Sequence, residues 1–530
     1  MKRINSVDYV LLFSAACVLL FATIACNIGS QVSQEPTKVT ASSTPLATQT
    51  TSAERQNESP AEESQQNVLI PQAEVDAELP SKIPHYIIDL QIDETGHTFS
   101  GVSTLEYSNM EVDHLNKLFF RLFPNGGGGY GNGKLNVTAV RVDDIALPTE
   151  LTMNDSVMNV PLPDTLHTGE SIELEIEFEG IVPVDFGGDD PSFGYGIYNY
   201  SNGVLSLSGW YPILAVYDDE GWNLDPVSDI GDSVYSDTAN YSISVNAPAG
   251  NVLISTGTNP VLSETTSDSF EIQSPPARDF FLIMSPDFQV ASLDVDGTTV
   301  NSYFLPGHEA GGQLALDIAS DSLGAFNELF GPYPYSELDV VEAPMRYALG
   351  VEYPGVILIR ESLYDNLDSP NFTVAIAHEV AHQWWYNIVG NDVIDEPWLD
   401  EALTTYSSSL FYEFGPQQTK PTGLYNYWQE QTNILMQEGK DDLITQDLAY
   451  FENHEDPRVY SRVVYSKGAL FFKTLREEIG DQAFFEALQI YYQDNRYQIA
   501  TPEELLGIFE QAAGRQLDEF YDEWLYSATK

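Results

Sequence analysis

The chain has 530 residues, of which 43% are hydrophobic, and this length and composition predict more than one domain with sizeable cores. Its 22 Lys and Arg residues against 80 Asp and Glu residues give a formal net charge of -58 at pH 7. A nucleic acid would repel such a polyanion, so the charge excludes a general nucleic-acid-binding protein and disfavours tight binding to anionic lipid. The same acidity is typical of soluble proteins and of proteins that function in high salt.

The N-terminus is predicted to be a lipoprotein-type signal peptide over residues 1–25. Lys2 and Arg3 precede the apolar stretch YVLLFSAACVLLFATIAC, which is short for a transmembrane span and ends at Cys26. The small Ala25 before Cys26 resembles bacterial lipoprotein signals, in which that cysteine is lipidated after cleavage. The alternative is an uncleaved N-terminal anchor. In both cases we expect the folded part to lie outside the cytoplasm, on the outer face of the membrane of the cell envelope.

Residues 26–79 are predicted to form a disordered polar tether, because Ser, Thr, Gln, Glu and Pro dominate them. Cys17 and Cys26 are the only cysteines, so cleavage before Cys26 would leave no pair of thiols in the mature protein. Any zinc would then be held by histidine and carboxylate side chains.

Residues 80–290 are predicted to form an antiparallel β domain. Short segments alternate between apolar and polar residues, and turn residues separate them. Examples are HYIIDLQID, KLNVTAVRV and SIELEIEFEG.

Residues 291–530 are predicted to be mainly helical, which makes the fold class α+β. In NFTVAIAHEVAHQWWYNIVG, the pair Ser369-Pro370 is a start signal for a helix, and Gly390 is a stop signal. Near the C-terminus, Thr501 is a candidate N-cap and Glu504 completes a capping box.

The stretch HEVAHQWWYNIVGNDVIDEPWLDEALTTY has the spacing of a metal site. His378 and His382 lie one helical turn apart and share a helix face. A catalytic zinc usually has three protein ligands, and Glu401, in a second predicted helix beginning near Pro397, is the third candidate. Glu379 would lie beside the metal, where it can take a proton from the attacking water. For the HExxH motif alone, two histidines packed in a core are the alternative.

The chain resembles the zinc aminopeptidase family that contains aminopeptidase N and its leukotriene-hydrolase relatives. The resemblance rests on the zinc motif, on WLDEALTTY around Glu401, and on the segments LGVEYPG, FGPYPYSELDVVE and VVYSKGALFF. It implies a thermolysin-like, mainly helical zinc peptidase domain after the β domain, with one Zn²⁺ ion. It also implies removal of N-terminal residues from peptides.

The resemblance assigns roles to residues outside the zinc motif. Tyr465 would donate a hydrogen bond to the tetrahedral intermediate, and Glu352 would bind the α-ammonium group of the substrate, beside Gly350 and Val351. Without the resemblance, Tyr465 would be read as a packed core tyrosine and Glu352 as a solvated carboxylate.

Two features differ from the family pattern. Val351 stands where the signature has methionine, and the segment VLSLSGWYP at 204–212 lacks the second acidic or amide group that the β domain often adds to the amine site. The helices predicted after Tyr465 are also too few for the large helical C-terminal domain of long members. The resemblance is therefore to a short form, with an expected active-site cleft that is open on one side.

The predicted function is that of an extracytoplasmic, zinc-dependent metallopeptidase. We expect a monomeric aminopeptidase, anchored through lipid at Cys26, that hydrolyses peptides with a water molecule activated by Glu379. One alternative is a non-enzymatic surface protein that binds peptides on the same fold. The other is an endopeptidase that uses the same zinc site.

Overall fold

The computed structural model of the protein describes residues 68–71, 73, 83–95, 97–187, 194–218, 220–232, 234–258 and 269–528. The predicted signal peptide, Cys17, Cys26 and most of the predicted tether lie outside these residues. Among the described residues, no helix is both long enough and apolar enough to cross a membrane.

The N-terminal part is built from β-sheets. The largest sheet has seven strands, in the spatial order Ser269–Gln273, Asn240–Asn246, His85–Asp93, Thr98–Ser108, Ser171–Ile181, Lys134–Val142 and Ile145–Ala146. A four-stranded sheet has the order Val252–Ser255, Leu282–Ser285, Val204–Leu207 and Tyr198–Ser201. A second has the order Ile213–Leu214, Leu115–Arg121, Val157–Leu166 and Glu150–Thr152, and Tyr217–Asp218 pairs with Gly221–Trp222. Neighbouring strands of these sheets are antiparallel, except that His85–Asp93 runs parallel to Asn240–Asn246.

The alternation of apolar and polar residues in this part gives the large sheet one buried face and one exposed face. In the strand His85–Asp93, Tyr86, Ile88, Leu90 and Ile92 are buried, and the residues between them are exposed or half-buried. Successive side chains of a strand point to opposite faces, so this pattern covers one face with the other sheets and leaves the other to solvent.

The C-terminal part combines a five-stranded sheet with helices. The strands have the spatial order Gln289–Val295, Thr298–Phe304, Glu337–Ala343, Val356–Arg360 and Gly350–Tyr353. The helices are Glu309–Phe330, Glu361–Tyr364, Pro370–Ala381, Trp398–Phe414, Thr422–Glu438, Leu448–Glu452, Arg458–Tyr460, Gly468–Ile479, Asp481–Asn495, Pro502–Ala513 and Asp518–Trp524. The predicted α+β class is confirmed, and the domain boundary near residue 290 stays a prediction.

Two of the three helix ends that the sequence signals predict are right. The Ser369 side chain accepts a hydrogen bond from the backbone of Asn371, and Thr501 and Glu504 form the predicted capping box. The helix predicted to end at Gly390 ends instead at Ala381.

The backbone explains why this helix cannot continue to Gly390. Tyr386 has a φ of 118°, which no right-handed helix accommodates. Trp385 then pairs with Val389, and Gly390 pairs with Ile499, in isolated β-bridges.

Three residues of the predicted tether are packed on the C-terminal part. Leu69 pairs antiparallel with Tyr335, and the carbonyl of Val68 accepts a hydrogen bond of 2.9 Å from the backbone N–H of Ser336. Val68, Leu69 and Ile70 are all buried. The prediction of a disordered tether over 26–79 therefore does not hold for these residues, because a short apolar run within a polar segment is enough to bind a core.

Candidate metal centre and active site

The three predicted metal ligands converge on one point. His378 lies in the last turn of the helix Pro370–Ala381, His382 directly follows that helix, and Glu401 lies in the first turn of the helix Trp398–Phe414. The Nε2 atom of His378 lies 3.1 Å from Nε2 of His382 and 3.2 Å from Oε2 of Glu401. The Nε2 atom of His382 lies 3.5 Å from the same oxygen. One small cation can therefore contact all three atoms.

The protonation of His382 suits metal binding. Its Nδ1 atom lies 3.0 Å from the carbonyl oxygen of Trp385 and 3.3 Å from Oγ1 of Thr404. Because a carbonyl oxygen can only accept, Nδ1 carries the proton and the lone pair of Nε2 is free for a metal.

Glu401 supplies the negative charge of this site. Its Oε2 atom is buried and has no hydrogen-bond partner in the part of the chain that the structure describes. Burial alone would raise the pKa of Glu401, but the neighbouring imidazole groups of His378 and His382 outweigh burial and lower that pKa. An ionised carboxylate and two imidazoles are a donor set that fits zinc.

Glu379 lies beside the ligands and is itself buried. A Cβ atom on Gly350 would collide with the Glu379 carboxyl group, so the absence of a side chain at Gly350 makes room for that group. Burial, and then the neighbouring carboxylates of Glu352 and Glu401, raise the pKa of Glu379. This carboxyl group is therefore poised to take up a proton.

Glu352 meets a second carboxyl group that the sequence did not predict. Asp232, in a loop of the β-rich part, shares a hydrogen bond with Glu352, which requires a proton on one of the two. Burial, and then Glu352 and Glu401, raise the pKa of Asp232. The β-rich part thus adds an acidic group beside Glu352 from this loop, although VLSLSGWYP has none. No sequence signal distinguishes Asp232 from the other acidic residues of so acidic a chain.

Tyr465 contacts a predicted metal ligand directly. It lies in the π-helix Ser461–Lys467, a rare conformation that is frequent at functional sites. Its hydroxyl group donates to Oε1 of Glu401, and its ring stacks on His378 with 6.1 Å between the centroids.

A cavity of about 690 Å³ between the two parts joins all these groups. It is lined by every predicted site residue, namely Gly350, Val351, Glu352, His378, Glu379, His382, Glu401 and Tyr465. The structure therefore brings the predicted residues together, while the role of each stays a prediction.

Comparison with known proteins agrees with the resemblance of the sequence motifs to the zinc aminopeptidase family. Residues 314–524 match the Peptidase family M1 domain. Similar curated proteins include Aminopeptidase M1-B of Oryza sativa subsp. japonica, 26% identical over 313 residues that cover 54% of this chain and 34% of that protein. Aminopeptidase N of Streptomyces lividans is 24% identical over 305 residues, which cover 55% of this chain and 35% of that protein. The chain spans about a third of the length of these relatives.

Solved structures share the fold over most of its length. An M1 zinc metallopeptidase from Deinococcus radiodurans has a TM-score of 0.63 and 20% sequence identity, over 84% of this chain and 93% of that one. The predicted family resemblance and the two-part fold are confirmed.

Proposed function

We propose that this chain, whose residues 314–524 form a Peptidase family M1 domain, is a zinc-dependent aminopeptidase. The observation that carries the proposal is the convergence of His378, His382 and Glu401 with two further buried carboxyl groups, Glu379 and Glu352, in one cavity. A structural helix pair would have no reason to bury this many titratable groups without counter-charges.

Different side chains of the site have different roles in peptide hydrolysis. Zinc held by His378, His382 and Glu401 would act as a Lewis acid on the scissile carbonyl group and on water. Glu379 accepts the proton of the attacking water and returns it to the leaving amine, and burial raises its pKa, which favours uptake of that proton. Tyr465 stands next to the ligands as a donor for the developing oxyanion.

Glu352 and Asp232 favour an aminopeptidase over an endopeptidase. Oε1 of Glu352 is buried and has no hydrogen-bond partner among the described residues. A free α-ammonium group would neutralise this pair of carboxyl groups. A neutral peptide bond in the same place would leave them buried and uncompensated.

The proposed setting is outside the cytoplasm, with the body of the protein anchored by lipid at Cys26. The signal-like sequence from Lys2 to Cys26 and the polar segment that follows support it. Peptides are the proposed substrates, and we propose that the protein acts as a monomer. A structural neighbour, a mutant of the Deinococcus enzyme, is bound to a Tyr-Ser-Ala substrate.

The direct test compares aminoacyl reporters with a free and with an N-acetylated amino terminus. We expect the free form to be strongly preferred, and Glu352→Gln to reduce that preference about 10- to 100-fold, because a charge-assisted hydrogen bond is lost. Glu328→Gln, at an exposed site, is the control. Equal hydrolysis of both forms would favour the endopeptidase alternative. No hydrolysis by zinc-loaded protein would favour the binding-protein alternative.

Removal of the metal should change stability as well as activity. Zinc that binds only the folded state stabilises it by about 2.7 kcal/mol at a free concentration 100 times its Kd, so zinc should raise the Tm of chelator-treated protein. His382→Ala should abolish this rise, and His114→Ala, at an exposed histidine of the β-rich part, should preserve it. Equal responses of the two variants would place the zinc elsewhere.

A further inference from the structure

The cavity has a second acidic site, which the chemistry above does not use. Asp279, in the segment that enters the strand Leu282–Ser285, lines the cavity and is only 3% exposed. Ser208, Tyr353 and Tyr386 line the same cavity. Asp279 and Ser208 come from the β-rich part, and Tyr353 and Tyr386 come from the C-terminal part.

The carboxyl group of Asp279 has one oxygen without a partner. Its Oδ2 atom accepts a hydrogen bond of 3.2 Å from the Tyr386 hydroxyl group. Its Oδ1 atom is buried and, within the described ranges, has no hydrogen-bond donor. A buried acceptor without a donor costs free energy, so this oxygen is a ready acceptor for a ligand.

The neighbouring cation is already engaged. The guanidinium group of Arg278 donates to the carbonyl oxygens of Tyr386 at 2.7 Å, of Ser236 at 3.3 Å and of Gln498. Burial raises the pKa of Asp279 to about 7, against the lowering by the Tyr386 hydrogen bond and the Arg278 charge. Arg278 therefore leaves Asp279 incompletely neutralised.

Tyr386 connects this site to the amine site. Burial, and then the charges of Asp279, Asp232 and Glu352, raise the pKa of Tyr386 well above its ordinary value. Tyr386 therefore lies within electrostatic reach of all three carboxyl groups. Its φ of 118° is one that a tyrosine rarely adopts, and such strained residues cluster at functional sites. The backbone is thus held in an unfavourable conformation that keeps this side chain in the cavity.

We propose that Asp279, oriented by Tyr386, binds the positively charged side chain of the substrate's N-terminal residue, so that peptides beginning with Arg or Lys are preferred. This inference rests on the proposed function. With the α-ammonium group at Glu352, the side chain leaves the adjacent carbon. A long basic side chain that follows Tyr386 reaches the free oxygen of Asp279. A neutral side chain there leaves that buried oxygen unpaired.

The groups that face Asp279 determine how the preference depends on pH. They are Arg278, Tyr386, Tyr353, Tyr211 and Tyr241. The tyrosines have pKa values raised well above the ordinary value, and arginine stays charged, so Asp279 alone titrates near neutral pH. Its charge is present above its pKa and is lost as the pH falls through about 7.

The experiment compares arginyl with citrullinyl reporters, which have nearly the same shape but differ in charge. We expect the ratio of their kcat/KM values to be about tenfold or more at pH 8 and to fall as the pH is lowered through neutrality. Both substrates carry the same α-ammonium group, so titration of the amine site cancels in the ratio. A ratio near one at pH 8 would overturn the inference and leave the proposed function intact.

Two variants and a control keep the test specific. Asp279→Asn should bring the ratio close to one, and Tyr386→Phe should move its midpoint to higher pH, because the hydrogen bond that lowers the pKa is removed. Asp287→Asn, at an exposed aspartate of the β-rich part, should leave the ratio unchanged. If Asp279→Asn does not fold, the inference is tested by the pH dependence of the same ratio in the wild type and in Tyr386→Phe. A Tyr386→Phe midpoint equal to that of the wild type would contradict the role of Tyr386.

A binding measurement separates this inference from catalysis. Arginine amide should raise the Tm of the wild type at pH 8 more than citrulline amide does, whether or not the protein hydrolyses any reporter. Equal rises would overturn the inference. A larger rise with arginine amide, in a protein that hydrolyses no reporter, would support it while the proposed function fails.

Discussion

Glu379→Gln is expected to lower kcat by about 10²- to 10⁴-fold, the usual contribution of a general base, while the zinc content stays near that of the wild type. Glutamine has the size of glutamate and fits the space that Gly350 leaves open, so the packing should persist. Its amide group, however, cannot accept the proton of the attacking water. The measurements are kcat on an aminoacyl reporter and the zinc content of the purified protein.

Variants of the predicted metal ligands should lose zinc as well as activity, whereas Glu379→Gln should lose only activity. His378→Ala, His382→Ala and Glu401→Ala each remove one of three converging atoms, so zinc should be lost together with activity. Glu519→Gln, an exposed carboxylate on the last helix, is the matched control for Glu379→Gln. Near-normal turnover by Glu379→Gln would show that the base is another group, and Glu352 is the nearest remaining candidate.

The convergence of the three predicted zinc ligands could be predicted because their geometry is mostly local. His378 and His382 are four residues apart in a helix, and that spacing alone places them on one face. Glu401 required one further assumption, that the helix beginning after Pro397 returns beside the first. The 3.2 Å contact between His378 and Glu401 is what that assumption demands.

The end of the first helix could not be predicted, because its cause is not a property of the residue type. Tyrosine ordinarily avoids a positive φ, so the sequence WWYN does not predict the turn at Tyr386. The stop at Gly390 was a sound local inference that tertiary structure overrode, since Gly390 pairs with Ile499 far along the chain.

Asp232 and Asp279 were missed for a related reason. Both reach the cavity from irregular segments of the β-rich part, where no periodicity assigns a side chain to a face. Their positions depend on how the two parts pack against each other. The surroundings of Gly231 show that this packing is close. A Cβ atom on Gly231 would meet the Tyr460 hydroxyl group and the side chain of Leu448 at 2.8 Å. Contacts of that kind exist only in the folded chain.

Tyr465→Phe is expected to lower kcat by about 10²-fold or more, as the loss of one oxyanion donor does, with little change in KM. In this structure its hydroxyl group donates to Oε1 of Glu401, whereas the histidines face Oε2 of that carboxylate. The hydroxyl group therefore bonds to the oxygen of Glu401 that the histidines do not face. For this reason the zinc content should not change when it is removed.

The competing role for Tyr465 is to hold Glu401 in place, and the two roles predict different measurements. A holding role means that Tyr465→Phe frees Oε1 of Glu401, weakens zinc binding and lowers Tm, while zinc-saturated enzyme keeps its kcat. An oxyanion role means that kcat stays low even at saturating zinc. Tyr526→Phe, at a half-exposed tyrosine near the C-terminus, should change none of these quantities. Because phenylalanine keeps the ring that stacks on His378, a loss confined to kcat can be assigned to the hydroxyl group itself.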